Sequence, residues 1–153
     1  MPKKVDVLLI ALTSPIKIGI YENNELIETI ENSGKSSDVL PTIYEEILKK
    51  YEVLKLLYAN GPGSFMAIKV AYIFLKSLSI LKKIPLFATD AFTFNQNQPI
   101  KAIGKLHFVK VASEIKTQKL ETVPEVVFTL PDVLDYNEFS KKTTPLYMIG
   151  AVG

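Results

Sequence analysis

The sequence predicts an α/β fold built on a mixed five-stranded sheet. Two observations carry that expectation. The stretch from Leu54 to Leu86 reads as a strand, a glycine turn, a long helix and a second strand, which is one βαβ unit. Ahead of it, one apolar run and two alternating runs read as three strands joined by short turns, followed by an amphipathic helix.

Val5 to Ala11 is apolar apart from Asp6, the pattern of a buried central strand. Ile16 to Tyr21 and Leu26 to Glu31 alternate and are expected to be half-buried. Between them, Glu22-Asn23-Asn24-Glu25 reads as a hairpin turn, because asparagine tolerates left-handed backbone. Asp38 is expected to cap the first helix, with Pro41 in its first turn. Leu40, Ile43, Tyr44, Ile47, Leu48 and Tyr51 form its apolar stripe, opposite Glu45, Glu46, Lys49 and Lys50. After Leu54 to Ala59 comes Asn60-Gly61-Pro62-Gly63-Ser64-Phe65. There Gly61 and Gly63 permit unusual backbone angles, and Ser64 is placed to cap the second helix. That helix is apolar around most of its circumference. Only Lys69, Lys76 and Lys83, seven residues apart, mark a polar stripe. Such a helix covers its own sheet and still leaves apolar surface for a second helix or a partner chain. Ile84 to Ala88 is the fifth strand.

The order β-β-β-α-β-α-β is that of the ribonuclease-H-like fold, shared with actin-like ATPases (the ASKHA group). Residues 1–93 are therefore expected to form one lobe and 94–153 a shortened second lobe. Within the latter, Leu106–Val111, Glu125–Thr129 and Pro145–Ile149 read as strands and Asp132–Phe139 as a short helix.

Composition narrows the function. All 18 basic residues are lysine, so no guanidinium fork is available for phosphate or guanine, and a net charge of +2 does not by itself point to nucleic acid. With no cysteine and one histidine, His107, a zinc site has no ligand set. Gly34-Lys35-Ser36 lacks the upstream glycine of a phosphate-binding loop, since Thr29 stands there. In sugar-kinase-like folds the first strand delivers an aspartate to phosphate and metal; here Leu12 holds that place. No run is long enough to span a membrane, and the start of the chain reads as a strand, so a cytoplasmic protein without membrane contact is expected.

Gly61-Pro62-Gly63-Ser64-Phe65, in its strand–helix setting and followed by Ile84-Pro85-Leu86, resembles the TsaB (YeaZ) family of tRNA threonylcarbamoyladenosine biosynthesis. Thr13-Ser14 is similar to that family's Asp-Thr-Ser turn, and Lys35-Ser36-Ser37-Asp38-Val39-Leu40-Pro41 to its His-Ser-Glu-x-Leu-Leu-Pro helix entrance. The departures are Leu12 for aspartate, Lys35 for histidine, and Met66-Ala67-Ile68-Lys69 for a Thr-Gly-x-Arg continuation. The resemblance implies a noncatalytic subunit that supports a TsaD-type catalytic partner, which binds ATP and metal, with a TsaE-like ATPase in the complex and tRNA engaged indirectly. No cofactor is expected in this chain. The implied interface lies on helices 38–51 and 64–83, with Tyr44, Ile47, Leu48, Tyr51, Ala67, Ala71, Phe74 and Leu78 as candidate contacts. A homodimer through the same helices is the expectation when the partner is absent, and a charge at Ala71 is expected to break the seam. The alternatives are a small ATP- or anion-binding enzyme that uses the glycine turn as a cradle, and a ribonuclease-H-like nuclease, for which converging carboxylates are lacking.

Overall fold

Unbroken apolar runs become central strands, and alternating runs flank them. The computed structural model describes residues 1–122 and 127–146. β1 (Lys4–Ile10), β2 (Ile16–Glu22) and β3 (Glu25–Asn32) form an antiparallel meander. Asn23 and Asn24 turn the hairpin at φ 51° and 69°. α1 (Ser36–Lys50), β4 (Glu52–Ala59), α2 (Phe65–Lys82) and β5 (Leu86–Thr89) follow. β4 pairs parallel with β1, and β5 with β4, so the sheet order is β3-β2-β1-β4-β5.

Both helices lie on one face of the sheet. Val7, Leu9, Ile18, Ile20, Leu56 and Tyr58 meet Leu40, Tyr44, Ile47, Ala71 and Leu75 there. Tyr44 and Phe74 join the two helices edge to face, ring centroids 5.2 Å apart. The other face carries Leu8, Ile10, Leu12 and Leu57. It is covered by a 3₁₀ turn at Ala91–Phe94 and by a three-stranded antiparallel sheet, β6 (Ile100–Lys101), β7 (Leu106–Val111) and β8 (Glu114–Lys119). Residues expected to build a second lobe thus pack Phe94, Ile100, Phe108, Phe128 and Leu134 into one core with the first sheet.

The segment 127–146 runs across this same face as a strap, held largely through its main chain. Lys17 Nζ donates to Phe128 O at 2.5 Å and Tyr21 Oη to Pro131 O at 2.6 Å. Asp132 O and Leu134 N bond Leu26 N and Asn24 O, Ser140 pairs with Ala88 in both directions, and Leu146 N reaches Asn60 O at 2.8 Å. Tyr136 Oη donates to Asp6 Oδ2 beneath the start of the sheet.

Four expectations are corrected. α1 starts at Ser36, with Asp38 N and Val39 N closing onto Lys35 O; Asp38 is not the cap, and Pro41 falls in the second turn. Residues 132–139 hold only the 3₁₀ turn Tyr136–Glu138. Residues 127–129 are irregular, because their hydrogen bonds go to Lys17 and Phe94 instead of to a ladder. The rest of the Glu125–Thr129 strand, and Tyr147–Ile149 of the final one, lie outside the described residues.

Candidate functional site

Two features meet where the strands end and the helices begin. The first is the glycine turn. β4 delivers Asn60, whose N–H bonds Thr89 O and whose Nδ2 donates to Thr144 O at 3.0 Å. Gly61 follows at φ +112°, and its carbonyl accepts from Ala91 N. A Cβ there would stand 2.9 Å from Ile68 Cδ1 and 3.2 Å from Leu146 O, so glycine is required both by angle and by space. Pro62 is buried. Gly63 is packed against Leu12, whose side chain would meet a Cβ at 3.3 Å. Leu12, 3% exposed and part of the core on the face away from the helices, therefore fills the space that the missing side chain of Gly63 leaves beside the first strand. Ser64 occupies the N-cap position of α2, but its side chain makes no cap hydrogen bond; its carbonyl accepts from Ile68 N instead. Phe65 is exposed.

Beside this turn, a cleft of about 380 Å³ opens between the starts of α1 and α2, lined by Thr13, Ser14, Ser33, Lys35, Ser36 and Ser64 among others. Hydroxyls, one ammonium and two helix N-termini favour an anion there. No carboxylate lines it that could take a proton or ligate magnesium. Among the described residues no cluster of His, Asp or Glu could hold a metal. His107 is fully buried in β7, with Nδ1 2.8 Å from Lys105 O.

The second feature is the outer face of α2. The candidate contacts separate clearly here. Tyr44, Ile47, Tyr51 and Ala71 are buried against the chain's own sheet and cannot meet a partner. Leu48, Ala67, Phe74 and Leu78 are half-buried on the flanks. The reason is that α1 spends its whole apolar stripe on the sheet and shows solvent a polar face of Thr42, Glu45, Glu46 and Lys49. α2 is different. Ile68, Ala71 and Leu75 face the sheet, while Met66, Ile73 and Ile80 stand 61%, 53% and 67% exposed on the opposite side. With Val70 and Ser77 these residues repeat at the 3–4 spacing of a heptad seam, Leu81 lies beside them, and Lys69 and Lys76 border them. The periodicity was legible in the sequence; which stripe faces outward was not, because apolar residues occupy nearly every direction. The strap covers the other face of the sheet and leaves this seam open.

No protein-family model matches the chain, and no curated protein sequence matches it. Solved structures do. One, described as YeaZ from Pseudomonas aeruginosa, superposes with a TM-score of 0.58 at 12% identity over 76% of this chain and 65% of that one. A second is described as an uncharacterized protein with similarity to peptidase YeaZ from the same organism. It gives a TM-score of 0.55 at 12% identity over 76% and 64%. This chain shares their fold. It spans just under two thirds of their length. No helix among the described residues is long and apolar enough to cross a membrane.

Proposed function

We propose that this chain is a noncatalytic, TsaB-like subunit that docks a TsaD-type catalytic partner through α2 and supports tRNA threonylcarbamoyladenosine formation, with ATP and metal held by the partner. The observation that carries the reading is an uncovered heptad seam, Met66–Val70–Ile73–Ser77–Ile80, on a helix of a YeaZ-like fold. The strand order, antiparallel through β3-β2-β1 and parallel through β1-β4-β5, supports the ribonuclease-H-like assignment. The 20-residue span of β6 to β8 (Ile100 to Lys119) and the strap stand where a longer chain would build its second lobe. Leu12 packed against Gly63 supports the noncatalytic reading, since a branched apolar side chain occupies the hollow of the glycine turn.

The test is co-expression with a TsaD-type protein and measurement of the complex. Ile73→Glu is the informative variant, because Ile73 is half-exposed and its replacement spares the core. Ala71→Glu would put a charge 2% exposed into the core, and its effect would report folding instead. A glutamate forced into a packed seam costs about 3 kcal/mol, a hundredfold or more in Kd. A Kd left unchanged by Ile73→Glu, or no complex with the unaltered chain, overturns the reading. If the partner is withheld, the same seam is expected to self-pair, and Ile73→Glu to return the chain to monomer.

A second reading, a small ATP- or anion-binding enzyme, is favoured by the hydroxyl-lined cleft between the two helix starts. Saturable binding of magnesium–ATP by the isolated chain in calorimetry would establish it over the first.

A further inference from the structure

α2 carries Lys69, Lys76 and Lys82 and no carboxylate. Lys69 and Lys76 are exposed and border the open seam along one flank. Seven residues separate them, so they stand two turns and about 10 Å apart. The flank is the one away from α1. Phe74 meets Tyr44 of α1, and Lys76, two residues on, stands about 200° round the helix from Phe74. Tyr72 lies three residues after Lys69 and four before Lys76, on the same flank, and stacks on Tyr58 with ring centroids 6.4 Å apart. Tyr58 Oη donates to Thr143 O, so the end of the strap arrives here too. That stretch, Ser140 to Leu146, brings Lys141 and Lys142, both exposed, and no carboxylate. Lys69, Lys76, Lys141 and Lys142 are in no ion pair among the described residues. The carboxylates of the adjoining elements are engaged elsewhere. Glu138, the next one back along the strap, belongs to the 3₁₀ turn whose Tyr136 is fastened to Asp6 on the opposite face of the sheet. Asp90, at the end of β5, is held by Lys110, and Glu45 and Glu46 of α1 hold Lys49. Lys82 and Lys83 close α2, where the helix dipole accounts for cations; it does not account for Lys69 and Lys76.

We propose that the element docking on α2 is an amphipathic helix that carries carboxylates seven residues apart along one flank of its apolar seam, set against Lys69 and Lys76. This deepens the partner reading above and rests on it. When two helices pack seam to seam, the residues flanking one seam lie against those flanking the other, and opposite charges there steer encounter and fix register. A second copy of this chain fits less well. Paired antiparallel, it sets Lys69 and Lys76 against the same two lysines; paired parallel, it presents α1, whose outward Glu45 and Glu46 already hold Lys49. The self-pair expected without a partner is therefore the weaker complex. A bilayer fits less well for a related reason: cations border the seam on one side only, and α1 shows Glu45 and Glu46 to solvent on the other.

The experiment is surface plasmon resonance of the full chain with a TsaD-type protein, at about 0.1 M and about 1 M salt. Lys69→Glu with Lys76→Glu should weaken the complex about tenfold or more at the lower salt, chiefly through slower association, and by much less at the higher. Lys69→Gln with Lys76→Gln, the milder pair, should lie between that variant and the unaltered chain. Ile73→Glu should break the complex at both salt concentrations, because it acts on the seam and not on its border. Lys116→Glu with Lys119→Glu changes the net charge equally on β8, across the sheet from α2, and should leave Kd within about twofold. An unchanged urea midpoint shows that each lysine variant folds, as expected for exposed side chains. A complex that Ile73→Glu breaks, but whose Kd and salt dependence both Lys69 and Lys76 double variants leave unchanged, overturns this inference and leaves the docking reading standing. Equal weakening by the β8 pair also overturns it, since that reports net charge instead of this flank. No complex with the unaltered chain, or binding to phosphatidylserine vesicles in place of the protein, overturns both.

Discussion

Tyr136→Phe is the sharpest probe of how the strap is fastened. Asp6 is only 8% exposed at the start of β1, and its Oδ1 has no partner among the described residues. The phenol of Tyr136 donates to Oδ2, and Lys55 Nζ lies 3.9 Å from the centroid of the Tyr136 ring. Burial raises the Asp6 pKa above its ordinary value, and the Lys55 charge opposes that rise. The sign follows from linkage. Between the unfolded and the folded pKa the native state holds the proton and the unfolded state does not. Stability therefore falls as pH rises through that window, and the cost of the Asp6 charge is complete above it. Removing the phenol takes away the donor that favours the carboxylate, so the cost at neutral pH grows while the ring and its cation–π contact survive. A hydrogen bond to a charged group contributes about 1.5–3 kcal/mol, and one to a neutral acid about 1. With a urea m-value of about 2 kcal/mol/M, the midpoint of Tyr136→Phe should drop by about 1 M at pH 7 and by about half that near pH 4. Asp6→Asn keeps an acceptor for the phenol and discards the charge, so it should equal or exceed the unaltered chain at pH 7. A midpoint drop for Tyr136→Phe that is the same at both pH values, or a large loss for Asp6→Asn, would refute this account of the latch.

Two further outcomes follow from the glycine turn. Gly61→Ala combines φ +112° with a 2.9 Å approach to Ile68, and should cost about 2–3 kcal/mol, read as a lowered urea midpoint without a change in m. Ser64→Ala should cost less than about 0.5 kcal/mol by the same measurement, because the exposed side chain makes no capping bond.

The main sheet was legible in the sequence because each strand announces its burial. Val7 to Ile10 is solidly apolar and lies between β2 and β4; Leu26 to Glu31 alternates and lies at the edge. The first hairpin was legible because two asparagines carry its left-handed residues. The second was not: β7 and β8 turn through Ala112 at φ 50° and Ser113 at φ 70°, residue types that give no turn signal. One helix start escaped for a related reason. Lys35 holds the N-cap position of α1 without a side-chain bond, so Asp38, a residue type that usually marks a start, misleads; Ser64 does stand at the N-cap of α2 as its type suggests, without the capping bond. The strap carries no periodicity because donors on the sheet, Lys17, Tyr21 and Asn60, bind its carbonyls, and carbonyls are the same in every residue.

The same logic separates the two helices at the candidate site. α1 has one apolar stripe and the sheet takes it, so Tyr44 and Ile47, expected as partner contacts, go inward instead. α2 has apolar residues on every side, and only the packing decides between them: Ala71 and Leu75 pack into the core between helices and sheet, Ile68 packs beside the glycine turn, and Met66, Ile73 and Ile80 are left outside by rotation. A chain of this length could have roofed that seam with residues 127–146. They are spent on the opposite face, bonded to Lys17, Tyr21, Asp6 and Ala88, where Leu8, Ile10 and Leu57 would otherwise be bare. Covering one face of the sheet with the strap leaves the apolar seam of α2 exposed, and the proposed docking rests on that seam.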